Sequence, residues 1–160
     1  MPALKFPKTI RLDSSDLHVF ERAAEPGEWA VPGGFDFVGI DAAALTGKAR
    51  QAFGSGWLGL DSLGRSTLVE VHGIDQDEYQ AVIRRLAALF VERHGAPDVL
   101  AATEAAREEA AYAAGLCEHK VHTLLVIERE PGPDGVVERF RVIRPPRAED
   151  HAKIWTIVED

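Results

Sequence analysis

STLVEVHGIDQDEYQAVIRRLAALF, residues 66–90, decides the fold. Its first part alternates. Thr67, Val69 and Val71 fall on one face of an extended chain, and Leu68, Glu70 and His72 fall on the other. After Ile74 the period changes. Tyr79, Val82, Ile83, Leu86, Ala87 and Phe90 recur at three- and four-residue spacing, while Gln80, Arg84, Arg85, Glu92 and Arg93 fall largely opposite. Asp75 stands where an N-cap belongs, and Glu78 three residues on completes a capping box. A strand over 66–74 followed by a capped amphipathic helix is therefore expected. Gly95 supplies the left-handed stop, and Pro97 suits the first turn of a second helix.

Working outward, the second helical region runs from Asp98 to about Cys117. Ala102, Ala105, Ala106, Ala110, Ala113 and Ala114 give it a smooth face. Thr103, a cap type placed before Glu104, is expected to divide it in two. Thr123–Glu130 is almost continuously apolar and reads as a central strand. Residues 131–135, Pro-Gly-Pro-Asp-Gly, are a turn, and Val136–Ile143 returns as the hairpin partner. In the first half, Thr9–Leu12 and Leu17–Glu21 read as strands joined at Ser14–Asp16. Short strands are expected around Trp29 and Val31 and around Phe35 and Phe37. A helix capped by Asp41 is expected over Ala42–Phe53, with Leu45, Ala49 and Phe53 inward. The glycine-rich loop 54–65 carries Trp57, Leu58 and Leu60, read either as folded onto the core or as a contact surface. Together these give a single-domain α+β fold, a mainly antiparallel sheet with helices packed on one face.

Composition narrows the class. The 160 residues suffice for one domain, and 46% hydrophobic with 28% charged content is ordinary for a globular chain. No apolar run approaches the roughly 20 residues of a membrane helix, and the N-terminus lacks a secretory core. A lone cysteine, Cys117, excludes an internal disulfide and points to the cytoplasm. A net charge of -8 without a basic patch speaks against nucleic-acid binding.

Few residues carry a pattern that chemistry would need. Cys117, His119 and His122 crowd the junction of helix and strand, and a thiolate with two imidazoles suits zinc or copper. The bland alternative makes Cys117 a core residue, His119 a cation at a helix C-terminus and His122 a solvent-facing group. Gly54, Gly56 and Gly59 follow a helix and precede a strand, the reverse of a phosphate cradle. No Gly-x-Ser-x-Gly elbow occurs, and a direct Cys117–His pair two residues apart would point apart. Glu108 and Glu109, and Glu128 and Glu130, read as solvated faces. No catalytic set and no cofactor is therefore assigned. Residues 154–158, Ile-Trp-Thr-Ile-Val, are strand-forming; they add to the chain's own sheet or, less favoured, to a neighbour's edge. Trp155 joins Trp57, Leu58 and Leu60 as a candidate for contact with a protein partner or a second copy.

Phe20-Glu-Arg-Ala-Ala-Glu-Pro-Gly-Glu-Trp-Ala-Val-Pro-Gly-Gly-Phe35, Leu45-Thr-Gly-Lys-Ala-Arg-Gln-Ala-Phe53 and Ser66-Thr-Leu-Val69 resemble an uncharacterised family of small alphaproteobacterial proteins over residues 8–143. The resemblance implies no activity and no site residues. It implies companionship with metalloenzyme-maturation and lipoate-ligase-like genes. The expected function is a non-catalytic accessory or interaction protein, assisting metalloenzyme assembly. The alternative is a metal- or small-ligand-binding protein, enzymatic or not, using Cys117, His119 and His122.

Overall fold

Alternation and amphipathic period both act where the sequence places them, in a computed structural model that describes residues 4–144 and 156–159. Along the chain the elements are β1 (Lys5–Ile10), α1 (Ser15–Val19), β2 (Ala30–Val31), α2 (Gly47–Ser55), β3 (Trp57–Gly59) and β4 (Arg65–Ser66). Then follow β5 (Leu68–Gly73), α3 (Gln76–Arg93), α4 (Val99–Gly115), β6 (Leu124–Gly132), β7 (Gly135–Arg144) and β8 (Thr156–Glu159). Five strands form an antiparallel sheet in the order β1-β5-β6-β7-β8, and β2-β3-β4 form a second, smaller antiparallel sheet. The fold is α+β, with two sheets where one was expected. Strand β6 is central, the β6–β7 hairpin turns at Pro133-Asp134, and β8 joins the chain's own sheet beside β7. Among the described residues, no helix is long and apolar enough to cross a membrane.

Helix α3 begins where Asp75 Oδ1 accepts from the Glu78 amide at 2.8 Å, and Gly95 at φ +67° ends it. The capping box is half made. The Glu78 carboxylate accepts from Trp29 Nε1 at 3.2 Å, because a packed indole lies in its reach. Replacing Asp75 with alanine is expected to cost about 1 kcal/mol in urea unfolding, with an unchanged denaturant slope. Helix α4 is unbroken: the Thr103 hydroxyl donates to the Val99 carbonyl at 2.7 Å, one turn back within the helix. Ala102, Ala106, Ala110 and Ala113 are fully buried and let α4 lie close to α3 and β1.

Corrections cluster in the first half. Leu17–Glu21 is no strand; Ser15–Val19 is helical, the Ser15 amide donating to Asp13 Oδ1 at 2.8 Å. Asp16 is buried and accepts from the Thr67 hydroxyl at 2.6 Å. Phe35 and Phe37 lie in a 3-10 turn, Gly34–Phe37. Asp41 does cap, but it caps a short 3-10 turn, Ala42–Ala44, and α2 starts afresh at Gly47 with Phe53 buried and Ala49 exposed. The loop residues Trp57, Leu58 and Leu60 are core. Trp57 and Leu58 belong to β3, whose pairing with β2 and β4 folds the glycine-rich segment inward. The Glu28 carboxylate, itself buried, holds that segment by accepting from the Asp61 and Ser62 amides at 2.8 and 2.7 Å and from the Ser62 hydroxyl at 2.7 Å. These three side chains therefore offer no partner a surface. Trp155 lies outside the described residues.

Two buried guanidiniums tie the layers together. Arg129 of β6 donates to the carbonyls of Phe53 at 3.0 Å, Gly56 at 3.2 Å and Pro32, and to Glu138 Oε2 at 2.7 Å. Arg65 of β4 donates to Gly56, Gly33 and Asp36, the last at 2.6 Å. Both lie over the Phe37 ring. Burial pulls the Arg65 guanidinium down to about 10, against the opposing pull of Asp36, so it stays charged near neutrality. Glu109, expected in solvent, is half-buried, and burial pushes its carboxyl above the usual range.

Candidate metal centre

Strand alternation puts Glu70 and His72 of β5 on one face of the sheet. The backbone then delivers a third group. The amide of His122 donates to the Val71 carbonyl at 2.8 Å, the Val71 amide donates to the Thr123 carbonyl at 2.8 Å, and β6 begins two residues later. His122 itself sits at φ +76°, the left-handed region that side-chain-bearing residues seldom adopt. That conformation sets its ring beside Glu70. His122 Nδ1 lies 3.2 Å from Glu70 Oε2, and His72 Nε2 lies 3.4 Å from Glu70 Oε1. The two imidazoles meet edge to face with centroids 5.5 Å apart. Trp29 stands edge-on to His72 at 6.4 Å, and Lys8, paired across from Glu70, places its Nζ 4.6 Å over the Trp29 ring.

One ligand atom from each of Glu70, His72 and His122 lies within 4.8 Å of the other two. A tetrahedral ion with bonds of about 2.0–2.1 Å needs donor–donor edges of about 3.4 Å. Each imidazole is already at about that separation from the carboxylate, His72 at Oε1 and His122 at Oε2, and the three groups would draw together by rotamer adjustment to close on one ion. Two imidazoles and a carboxylate suit a first-row divalent ion and leave at least one coordination position open. The His122 side chain is 69% exposed, while Glu70 and His72 are half-buried, so an ion would reach the cluster from solvent.

The three residues expected from the sequence do not come together. Cys117 is 1% exposed and packs with Trp57, Val69, Val71, Leu125, Ile127 and Val142. Burial pushes its thiol up to about 12, as befits a cysteine packed as a small hydrophobe. The carbonyl of His119 accepts from Lys5 Nζ at 2.5 Å. Among the described residues, His122 belongs instead with Glu70 and His72. The available signal was Glu70-x-His72 on the polar side of a half-buried strand; what sequence reasoning missed is the β5–β6 register, which sets Glu70 opposite Leu124 and so brings His122 alongside.

Fold and site together define a small α+β protein with a two-imidazole, one-carboxylate cluster on its surface. The chain belongs to DUF6505, a family of unknown function whose model matches residues 4–159. Neither the curated proteins nor the solved structures contain a match to it.

Proposed function

We propose that the protein binds one divalent first-row metal ion, such as Zn2+ or Fe2+, through Glu70, His72 and His122. The convergence of three donor atoms within 4.8 Å carries this reading. The left-handed backbone of His122 supports it, because strain of this kind persists where surrounding structure enforces it and concentrates at working sites. Three protein ligands leave the ion a position for water or a ligand, which suits transfer or activation better than a purely structural role. A reducing cytoplasm fits the lone buried Cys117.

Titration calorimetry with Zn2+ and Co2+, backed by elemental analysis, tests the reading. One equivalent is expected to bind, more weakly as the solution is acidified, since protons compete for imidazole nitrogens. His72→Ala and His122→Ala are each expected to weaken binding by more than about 100-fold, beyond the loss typical of outer-sphere changes. A Cys117→Ser/His119→Ala variant is expected to bind as the parent does. Loss of metal in that variant, with His72→Ala unaffected, would return the site to the helix–strand junction and refute this assignment.

A second reading, the non-catalytic accessory protein, is favoured by one surface. Val99 and Leu100 at the start of α4 are 70% and 69% exposed, beside exposed Val91 of α3. Val91 and Val99 line one groove between the two helices, and an exposed apolar surface there suits docking to a protein, including a metalloenzyme under assembly.

A further inference from the structure

The exposed apolar surface is a groove of about 380 Å³ between α3 and α4. Ala88, Val91, Val99 and Thr103 form part of its walls, and Arg84 and Glu92 stand along the same groove on α3. Their order is what matters. Arg84 and Glu92 are eight residues apart, about 12 Å along the helix, and Ala88 lies midway between them. From this we propose that the groove is the docking site for a second copy of this chain, packed about a twofold axis through Ala88. The proposal rests on the second reading above, that this face is a docking surface.

A twofold axis at position 88 sets residue 84 of one α3 against residue 92 of the other. Each Arg84 then meets Glu92 of the partner subunit, twice per interface, and no like charges face each other at these positions. A surface carrying a basic residue on one side of its midpoint and an acidic residue equally far on the other side is complementary to itself. Ala88 at the axis has only a methyl group, so two helices can approach closely there. Val91 and Val99, 43% and 70% exposed in the single chain, are covered by the second copy. A chain of net charge -8 repels its own copies at large, so association needs such opposed pairs at the contact.

Sedimentation velocity over a wide range of protein concentration, with circular dichroism to verify folding, tests this. The parent is expected to form a dimer. Arg84→Glu and Glu92→Arg are each expected to raise the dimer dissociation constant about tenfold or more, since each turns two attractions into two repulsions. The double variant Arg84→Glu/Glu92→Arg restores the opposed pairs and is expected to return to within a few-fold of the parent. A parent that stays monomeric overturns the proposal, and so does a dimer indifferent to all three variants. An apolar fluorescent dye separates the two ideas. Should the monomeric parent bind the dye and Val99→Asp abolish that binding, the groove is a docking face for another protein and self-association is refuted. Should Val99→Asp change neither dye binding nor assembly, the docking surface itself is refuted along with the dimer.

Discussion

Arg129→Ala is expected to cost about 3–5 kcal/mol of folding stability, the range for breaking a buried ion pair by removing one partner. The side chain is 1% exposed, so water does not take over its bonds. Its loss takes the charged partner from the Glu138 carboxylate, leaving it the Tyr112 hydroxyl, and removes a donor from the carbonyls of Pro32, Phe53 and Gly56. Those groups belong to β7, the loop before the Gly34–Phe37 turn, and both ends of the α2–β3 join, so one deletion loosens four parts of the molecule at once. A midpoint lower by roughly 10 °C in a thermal melt corresponds to this loss for a domain of this size. Arg129→Lys keeps a charge but has one ammonium where a planar fork reaches four acceptors, and it is expected to recover only part of the stability. A change under about 1 kcal/mol for Arg129→Ala would show that the clamp is not what holds the layers.

Trp57→Ala is the second large effect, about 3–5 kcal/mol, as for a large aromatic deleted from a well-packed core. Trp57 is fully buried against Val69, Val71, Leu125 and Ile127, and its ring lies 5.5 Å from that of Phe140. Its indole Nε1 has no hydrogen-bond partner among the described residues. Trp57→Phe therefore loses volume but sheds an orphan donor, and is expected to cost much less than the alanine change. Equilibrium unfolding in urea compares the two variants directly. Equal losses would mean that the pyrrole N–H is in fact satisfied; a negligible loss for alanine would put Trp57 back on the surface.

These two residues also show what the sequence could and could not say. Helix α3 was readable because its evidence is local: Asp75 caps it, the apolar stripe repeats every turn, and Gly95 stops it. The hairpin β6–β7 was readable for the same reason, its turn residues lying between its strands. Trp57 reads as a loop residue, on the core or on a contact surface, because glycines imply a loop; pairing with β2, some 26 residues earlier, and with β4 makes it a strand residue of the core. The short α1 was misread because Leu17 and Val19 alternate as a strand would, while Asp13 and the buried Asp16–Thr67 contact favour a helical turn. The metal cluster followed the same rule. Glu70 and His72 could be put on one face, yet nothing near them in the chain names His122, some 50 residues on. Cys117, the most conspicuous ligand type in the sequence, went to the core because a thiol packs as a small hydrophobe.

The antiparallel pairing of β1 with β5 has a consequence for biosynthesis. Lys5 pairs with Gly73, so the first strand emerges from the ribosome 68 residues ahead of its partner. At about 5–20 residues per second, that wait is roughly 3–14 s. During it, a nascent β-edge is open to pairing with another emerging chain. Pro7, in the middle of that strand, has no amide hydrogen to offer and so shields the interval against cross-chain aggregation.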